Sequence, residues 1–227
     1  MQAMTLLFQN EHFIVVNKPS GVSFHSEVEA GFVVQVQEKF GSETLYPLHR
    51  LDKMTSGLVL FAKSKKIAQT FGKLFEKQMI EKYYLAISLR KPKKKQGWVK
   101  GDMVKARRGN YKFAATRENP AITQFISVAL RQGERGFLIK PHTGKTHQIR
   151  VALKSIGAPI AGDVRYANAD EARKEDRGYL HAYALRFNLL GEAYSFVSPP
   201  SEGERYINAT CQEQIGLWKT PWTFFKA

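Results

Sequence analysis

The apolar residues of this chain come in short runs closed by turn signals, and that pattern limits the fold more than any other feature. "FIVV" (Phe13–Val16) runs into the turn "NKPSG", and "GLVLFA" (Gly57–Ala62) lies between "MTS" and a polar "KSKK". Both have the length expected of buried strands. Neither approaches the ~20 apolar residues that a membrane-spanning helix needs. In "EKYYLAISL" the residues alternate: Tyr83, Leu85, Ile87 and Leu89 point one way, and Lys82, Tyr84, Ala86 and Ser88 the other. Further strands are expected at "MTLLF", 121–130, 136–141, "YLHAYALRFNLL" and "AYSFV". Helices are fewer. Phe32, Val33, Val36 and Phe40 have helical spacing; Ile67, Ala68, Phe71, Leu74 and Phe75 form one face behind an N-cap at Ser64; Ile149, Ala152, Leu153 and Ile156 form a stripe stopped by Gly157 and Pro159. Strands outnumber helices and do not alternate regularly with them. The pattern predicts an α+β fold, a mixed and mainly antiparallel sheet flanked by helices. No repeat or low-complexity linker interrupts the 227 residues, so one domain over 1–227 is expected.

Charge narrows the partners. The formal net charge is +15, from 35 Lys and Arg against 20 Asp and Glu. Such an excess points to nucleic acid, because neutralising phosphates releases counterions. A membrane surface is the second candidate, but no long basic amphipathic helix is present to lie on one. The positive charge is densest from Lys91 to Lys112, "KPKKKQGWVKGDMVKARRGNYK", with nine Lys or Arg and one acid, Asp102. Trp98, Tyr111 and Phe113 are interleaved with it or adjacent. Two readings stand side by side: a solvated hairpin or loop, or an arm that meets phosphates while its rings stack on bases. The single cysteine, Cys211, excludes an intramolecular disulfide, and the N-terminus lacks the pattern of a secretory signal. A reducing, cytoplasmic location is expected.

The six histidines show no ligand-like spacing with Cys or acids, which argues against a metal site. A two-metal nuclease would need clustered acids, and no Gly-rich phosphate cradle appears. One segment differs: "LHRLDKMTSGLVLFAKS", where Asp52 stands alone among His49, Arg50 and Lys53 before a buried strand. An Asp before Thr-Ser-Gly is a natural turn or cap residue. It is equally a carboxylate at the rim of a core. Arg150, in "GKTHQIR", falls in the first turns of a helix, where the dipole does not favour a cation. A pairing with Asp52 would account for that placement and would keep the carboxylate ionised and directed. Tyr84, on the polar face of its strand, suits either a second packed face or a site.

These residues also carry a resemblance. "HRLDKMTSG" resembles the HRLD-x-x-TSG signature of RluA-type pseudouridine synthases, and "NKPSG" that family's N-K-P-x-G turn. "EKYYLA" resembles its K-x-Y-x-A element, "TGKTHQIRVALKSIGAPIAGD" its G-R-T-H-Q-I-R block, and "LHAYALRF" its closing strand. The five elements run in order from about Asn17 to Phe187. The resemblance implies isomerisation of uridine to pseudouridine in RNA, with no cofactor and no metal. It makes Asp52 the nucleophile, Tyr84 the residue that stacks on the base and takes its carbon-5 proton, and Arg150 the partner of Asp52. Arg50 takes the position that fills the gap left by a flipped base. His49, Lys145, His147, Lys93, Lys94, Lys95, Arg107 and Arg108 are the remaining RNA-binding candidates. The family fold implies a basic cleft. Two positions depart from the pattern: Lys145 where Arg is usual, and Ala152 where His is common. Met1 to Asn17 is too short for an added RNA-binding module, so recognition is expected from the domain itself, including the arm at about 91–112. That arrangement resembles members acting on tRNA, or on a stem-loop shared by tRNA and rRNA, and a monomer is expected. A protein that binds or folds RNA on the same fold, its catalysis dispensable, is the competing expectation.

Overall fold

The computed structural model describes residues 4–27, 29–41, 44–131 and 133–225. In chain order the elements are β1 (Thr5–Gln9), β2 (Phe13–Lys18), α1 (Phe32–Phe40), β3 (Tyr46–Pro47), β4 (Ser56–Ala62), α2 (Lys65–Glu76), β5 (Glu81–Ser88), β6 (Gln96–Gly101), β7 (Met103–Lys105), β8 (Tyr111–Phe113), β9 (Ala121–Ala129), β10 (Arg135–Pro141), α3 (Gln148–Ser155), α4 (Ala169–Ala172), β11 (Leu180–Leu189), β12 (Glu192–Val197) and α5 (Ala209–Leu217). They gather into two compact units, residues 1–81 with 181–200, and residues 82–180 with 201–227.

In the first unit the strands lie in the order β1-β2-β4-β11, with β3 on β4 and β12 on β11. Every pair is antiparallel except β4 with β11, where Ser56 lies beside His181 and Gly57 beside Ala182. The continuous apolar runs of β2 and β4 are explained by burial of every residue in both. Phe13, Val15, Leu58 and Leu60 meet Leu185, Phe187 and the inner face of α2 in one core. Each such side chain stabilises the unit by about 1.5–3 kcal/mol relative to leaving it in water. Phe13 anchors the cluster, edge-on to Phe71 at 5.6 Å and to Tyr194 at 5.0 Å. Ser64 caps α2 as its position predicted, its Oγ accepting from the Ile67 amide at 3.2 Å.

In the second unit four strands lie in the order β5-β10-β9-β6, all antiparallel, with β7 and β8 forming a separate hairpin. The strand β9 alternates strictly. Ala121, Thr123, Phe125 and Ser127 are buried; Ile122, Gln124, Ile126 and Val128 are partly exposed. The run 91–112 is not one loop, since β6 is a full member of the sheet and only its ends lead into turns. The expected mixed, mainly antiparallel sheet with flanking helices is the one observed.

Candidate active site

Asp52 sits half-buried at a turn that leads directly into β4. The turn closes on itself, the Thr55 amide donating to the Asp52 carbonyl at 3.0 Å. It is held from below by Lys18, whose side chain is fully buried. The Lys18 ammonium donates to the carbonyls of Pro19 (3.0 Å), Thr55 (2.9 Å), Lys53 (3.3 Å) and Asp52 (3.4 Å). It has three hydrogens, so four carbonyls share them. Two further bonds tie the "NKPSG" turn to the same loop: Ser20 Oγ to the Met54 carbonyl at 2.8 Å, and the Gly21 amide to the Lys53 carbonyl at 2.8 Å. A buried cation surrounded by carbonyl dipoles fixes backbone more firmly than neutral bonds would, because charge-assisted bonds are roughly twice as strong.

The Thr-Ser-Gly that follows is equally constrained. Gly57 has φ +111°, and a Cβ there would lie 2.2 Å from the Ala182 carbonyl oxygen. Only glycine lets β4 approach β11 this closely. Ser56, buried beside it, meets His181 Nδ1 at 2.7 Å, and His181 Nε2 meets the Ser198 carbonyl at 2.7 Å. A carbonyl cannot donate, so Nε2 carries the hydrogen; in the neutral ring Nδ1 then accepts from the Ser56 hydroxyl. His49 is turned inward as well, its Nε2 accepting from the Leu60 amide at 3.1 Å. Arg50 is exposed.

The second unit holds the other two expected catalytic residues. Tyr84 stands on β5, its backbone opposite Ile139. Arg150 is the third residue of α3, in the first turn as expected, and only 5% exposed. The structure provides it with a partner that sequence spacing did not reveal. Nε meets Asp163 Oδ2 at 2.7 Å and Nη2 meets Asp163 Oδ1 at 2.8 Å, a bidentate pair whose carboxylate has no exposed surface. Asp163 also accepts from the amides of Arg165 and Tyr166. The guanidinium lies 5.0 Å from the centre of the Tyr166 ring. Gly162, with φ +75°, sets Asp163 in place; a Cβ there would lie 1.9 Å from the Arg177 carbonyl oxygen. Arg150 is thus a rigid cation whose direction is fixed by burial, a carboxylate and a ring.

The remaining candidates fall in different places. His147 precedes α3 in the left-handed region, φ 57°, and its Nδ1 bonds the Tyr166 hydroxyl at 2.8 Å. That hydroxyl also accepts from the Tyr111 amide of β8 at 2.8 Å, tying the β7–β8 hairpin to the start of α3. Lys145 reaches Asn119 at 3.1 Å. The neighbouring carboxyl of Asp102 is held below its usual range by the Thr116 hydroxyl and the Glu118 amide; Lys145 adds a smaller push in the same direction. Arg107 and Arg108 are exposed on a short turn between β7 and β8, and Lys93, Lys94 and Lys95 are exposed before β6. Lys82, in "EKYYLA", has its ammonium pKa lowered by burial. Among the described residues no three His, Cys, Asp or Glu side chains gather where they could hold a metal ion, and no helix is long and apolar enough to cross a membrane.

The fold has a close counterpart in a solved human protein, RNA Pseudouridylate Synthase Domain Containing 1. The TM-score is 0.77 at 21% identity, over 96% of this chain and 95% of that one. Residues 12–155 match the family model described as RNA pseudouridylate synthase, and the chain belongs to that family of RNA-acting isomerases. It is 45% identical over 216 residues to an uncharacterized RNA pseudouridine synthase of Haemophilus influenzae, covering 95% of this chain and 96% of the relative. It is 32% identical over 208 residues to the dual-specificity RNA pseudouridine synthase RluA of Pasteurella multocida, covering 87% and 94%. The resemblance carried by the five ordered motifs is borne out.

Proposed function

We propose that this chain isomerises uridine to pseudouridine in a stem-loop of tRNA, rRNA or both, with Asp52 as nucleophile. Tyr84 stacks on the base and takes the carbon-5 proton, and Arg150 pairs with Asp52. In the overall change the C1′–N1 bond breaks and a C1′–C5 bond forms; carbon 5 loses a proton and N1 gains one. No oxidant, reductant or second substrate is consumed. Asp52 attacks either the base or the sugar carbon; the bond it forms is broken again before the product leaves, which regenerates the carboxylate, and the proton balance is the same for both. Arg50 enters the stack where the target base leaves it, replacing part of the few kcal/mol that flipping costs. His49, Lys145, His147, Lys93, Lys94, Lys95, Arg107 and Arg108 contact the RNA, in a basic cleft of one catalytic domain that works as a cytoplasmic monomer.

The observation that carries this reading is the immobilised Asp52 turn. Lys18 directs its ammonium at four backbone carbonyls around one half-buried carboxylate, which a turn cap would not need. Relatives named for tRNA and for large-subunit rRNA support the substrate class. The test is a map of pseudouridines in total RNA from cells with and without the gene. Sites that vanish with the gene, and return with the wild-type protein, are the expected result. An unchanged map would overturn the proposal.

A further inference from the structure

The pairings of the second unit's sheet sort its side chains onto two faces. Tyr84 lies opposite Ile139, Ile139 opposite Phe125, and Phe125 opposite Gly97. The helix α3 covers this face, Gln148 reaching the Thr123 hydroxyl at 3.1 Å. Tyr84 and Arg150 therefore share it. Trp98 lies opposite Gln124, Gln124 opposite Lys140, and Lys100 opposite Ile122. These side chains belong to the reverse face.

There they form an ordered cluster. The His142 ring lies 4.8 Å from the Trp98 ring, tilted by 32°, and His142 Nε2 meets Gln124 Oε1 at 3.1 Å. The Lys100 ammonium sits 4.7 Å from the Trp98 ring centre, and the Lys140 ammonium 5.5 Å from that of Tyr83. Trp98 is nevertheless 46% exposed, on the strand that ends the sheet. No residue of β6, β9 or β10 on this face is acidic. Lysines alone would serve solubility. A braced and half-exposed indole with one ammonium beside it, and a second on the same face two strands away, has the chemistry of a base-stacking platform with phosphate contacts at its rim.

We infer that this reverse face is a second RNA contact, away from the face that carries Tyr84 and Arg150: Trp98 stacks on an unpaired base of the substrate RNA, and Lys100 and Lys140 meet the flanking phosphates. The inference rests on the reading of the chain as an RNA-modifying enzyme and adds where the RNA is gripped outside the reaction centre. A surface of this kind lengthens the contact with RNA without touching the reacting uridine.

The test uses the full chain and a fluorescently labelled single-stranded oligouridylate. Wild-type protein binds it with quenching of tryptophan fluorescence. Trp98→Ala weakens binding by at least about fivefold and removes part of the quenching, and Trp98→Phe recovers most of the affinity, since base stacking is sequence-tolerant and needs an aromatic ring. Lys100→Glu, at an exposed side chain, lowers affinity and flattens the salt dependence, and it answers the question if Trp98→Ala does not fold. Trp98→Ala or Lys100→Glu protein that binds as tightly as wild type, or a wild type that does not bind the probe, overturns the inference. Failure of the enzyme reading is seen separately, as wild-type protein that forms no pseudouridine in total RNA from cells lacking the gene.

Discussion

The pair between Arg150 and Asp163 yields the most quantitative prediction. Asp163→Ala takes the bidentate carboxylate away from a guanidinium that is only 5% exposed. Removing one partner of a buried ion pair costs about 3–5 kcal/mol. At roughly 2–4 °C per kcal/mol for a chain of this size, Tm falls by about 6–20 °C. The amides of Arg165 and Tyr166 lose their acceptor as well. The double variant Arg150→Met with Asp163→Leu removes both charges of this pair, so it recovers part of the ionic loss; those two amide bonds, and the proposed pairing of Arg150 with Asp52, stay lost. A double-mutant cycle by thermal and urea unfolding is therefore expected to show a coupling of about 1–3 kcal/mol. Both variants lose pseudouridine formation, because Arg150 is either unanchored or absent. Purely additive unfolding energies, or an Asp163→Ala protein with wild-type Tm, would refute the reasoning.

Three further outcomes follow. Lys18→Met removes the ammonium shared by four carbonyls; at about 1.5–3 kcal/mol for each hydrogen bond to a charged group it destabilises by about 3 kcal/mol or more, and turnover falls with little change in RNA affinity, read by urea unfolding and single-turnover kinetics. Gly57→Ala places a Cβ against the Ala182 carbonyl in a backbone region that disfavours side chains, so a loss of at least about 2 kcal/mol is expected, with β4–β11 amides exchanging faster. Cys211, buried beside the charge of Glu134, has its thiol pushed up to about 12. It resists iodoacetamide at neutral pH in the folded protein and reacts once unfolded. Because this folded value lies above the ordinary one, the thiol's contribution to stability is intact at neutral pH and is lost as pH rises from about 9 toward about 12.

What could be read before the structure depended on pattern length. β4 and β5 carry seven and eight residues of clear apolar or alternating pattern, so strand and face were legible. α5 was not, because only Cys211 and Ile215 point inward and two residues make no stripe. β6 was hidden in a lysine-rich run, since the open face of this edge strand carries Gln96, Trp98 and Lys100, which make no apolar alternation. In the site, the odd position of Arg150 was legible as a cation in a first helical turn. Its partner Asp163 lies thirteen residues on, beyond the reach of any local periodicity. Lys18 looked like an ordinary turn lysine. The signal that marks it is its place as the last residue of a fully buried strand, where an ammonium must find carbonyls or leave the core.

The central claim is that Asp52 performs the chemistry and that its turn is built to hold it. Asp52→Asn keeps the size and the backbone bonds of that turn and removes the nucleophilic carboxylate. Release of tritium from carbon 5 of uridine-labelled RNA reads the reaction directly, and filter binding of the same RNA reads the complex. Tritium release at background level with near wild-type RNA affinity is the predicted result. Release at the wild-type rate by the Asp52→Asn protein would contradict the account.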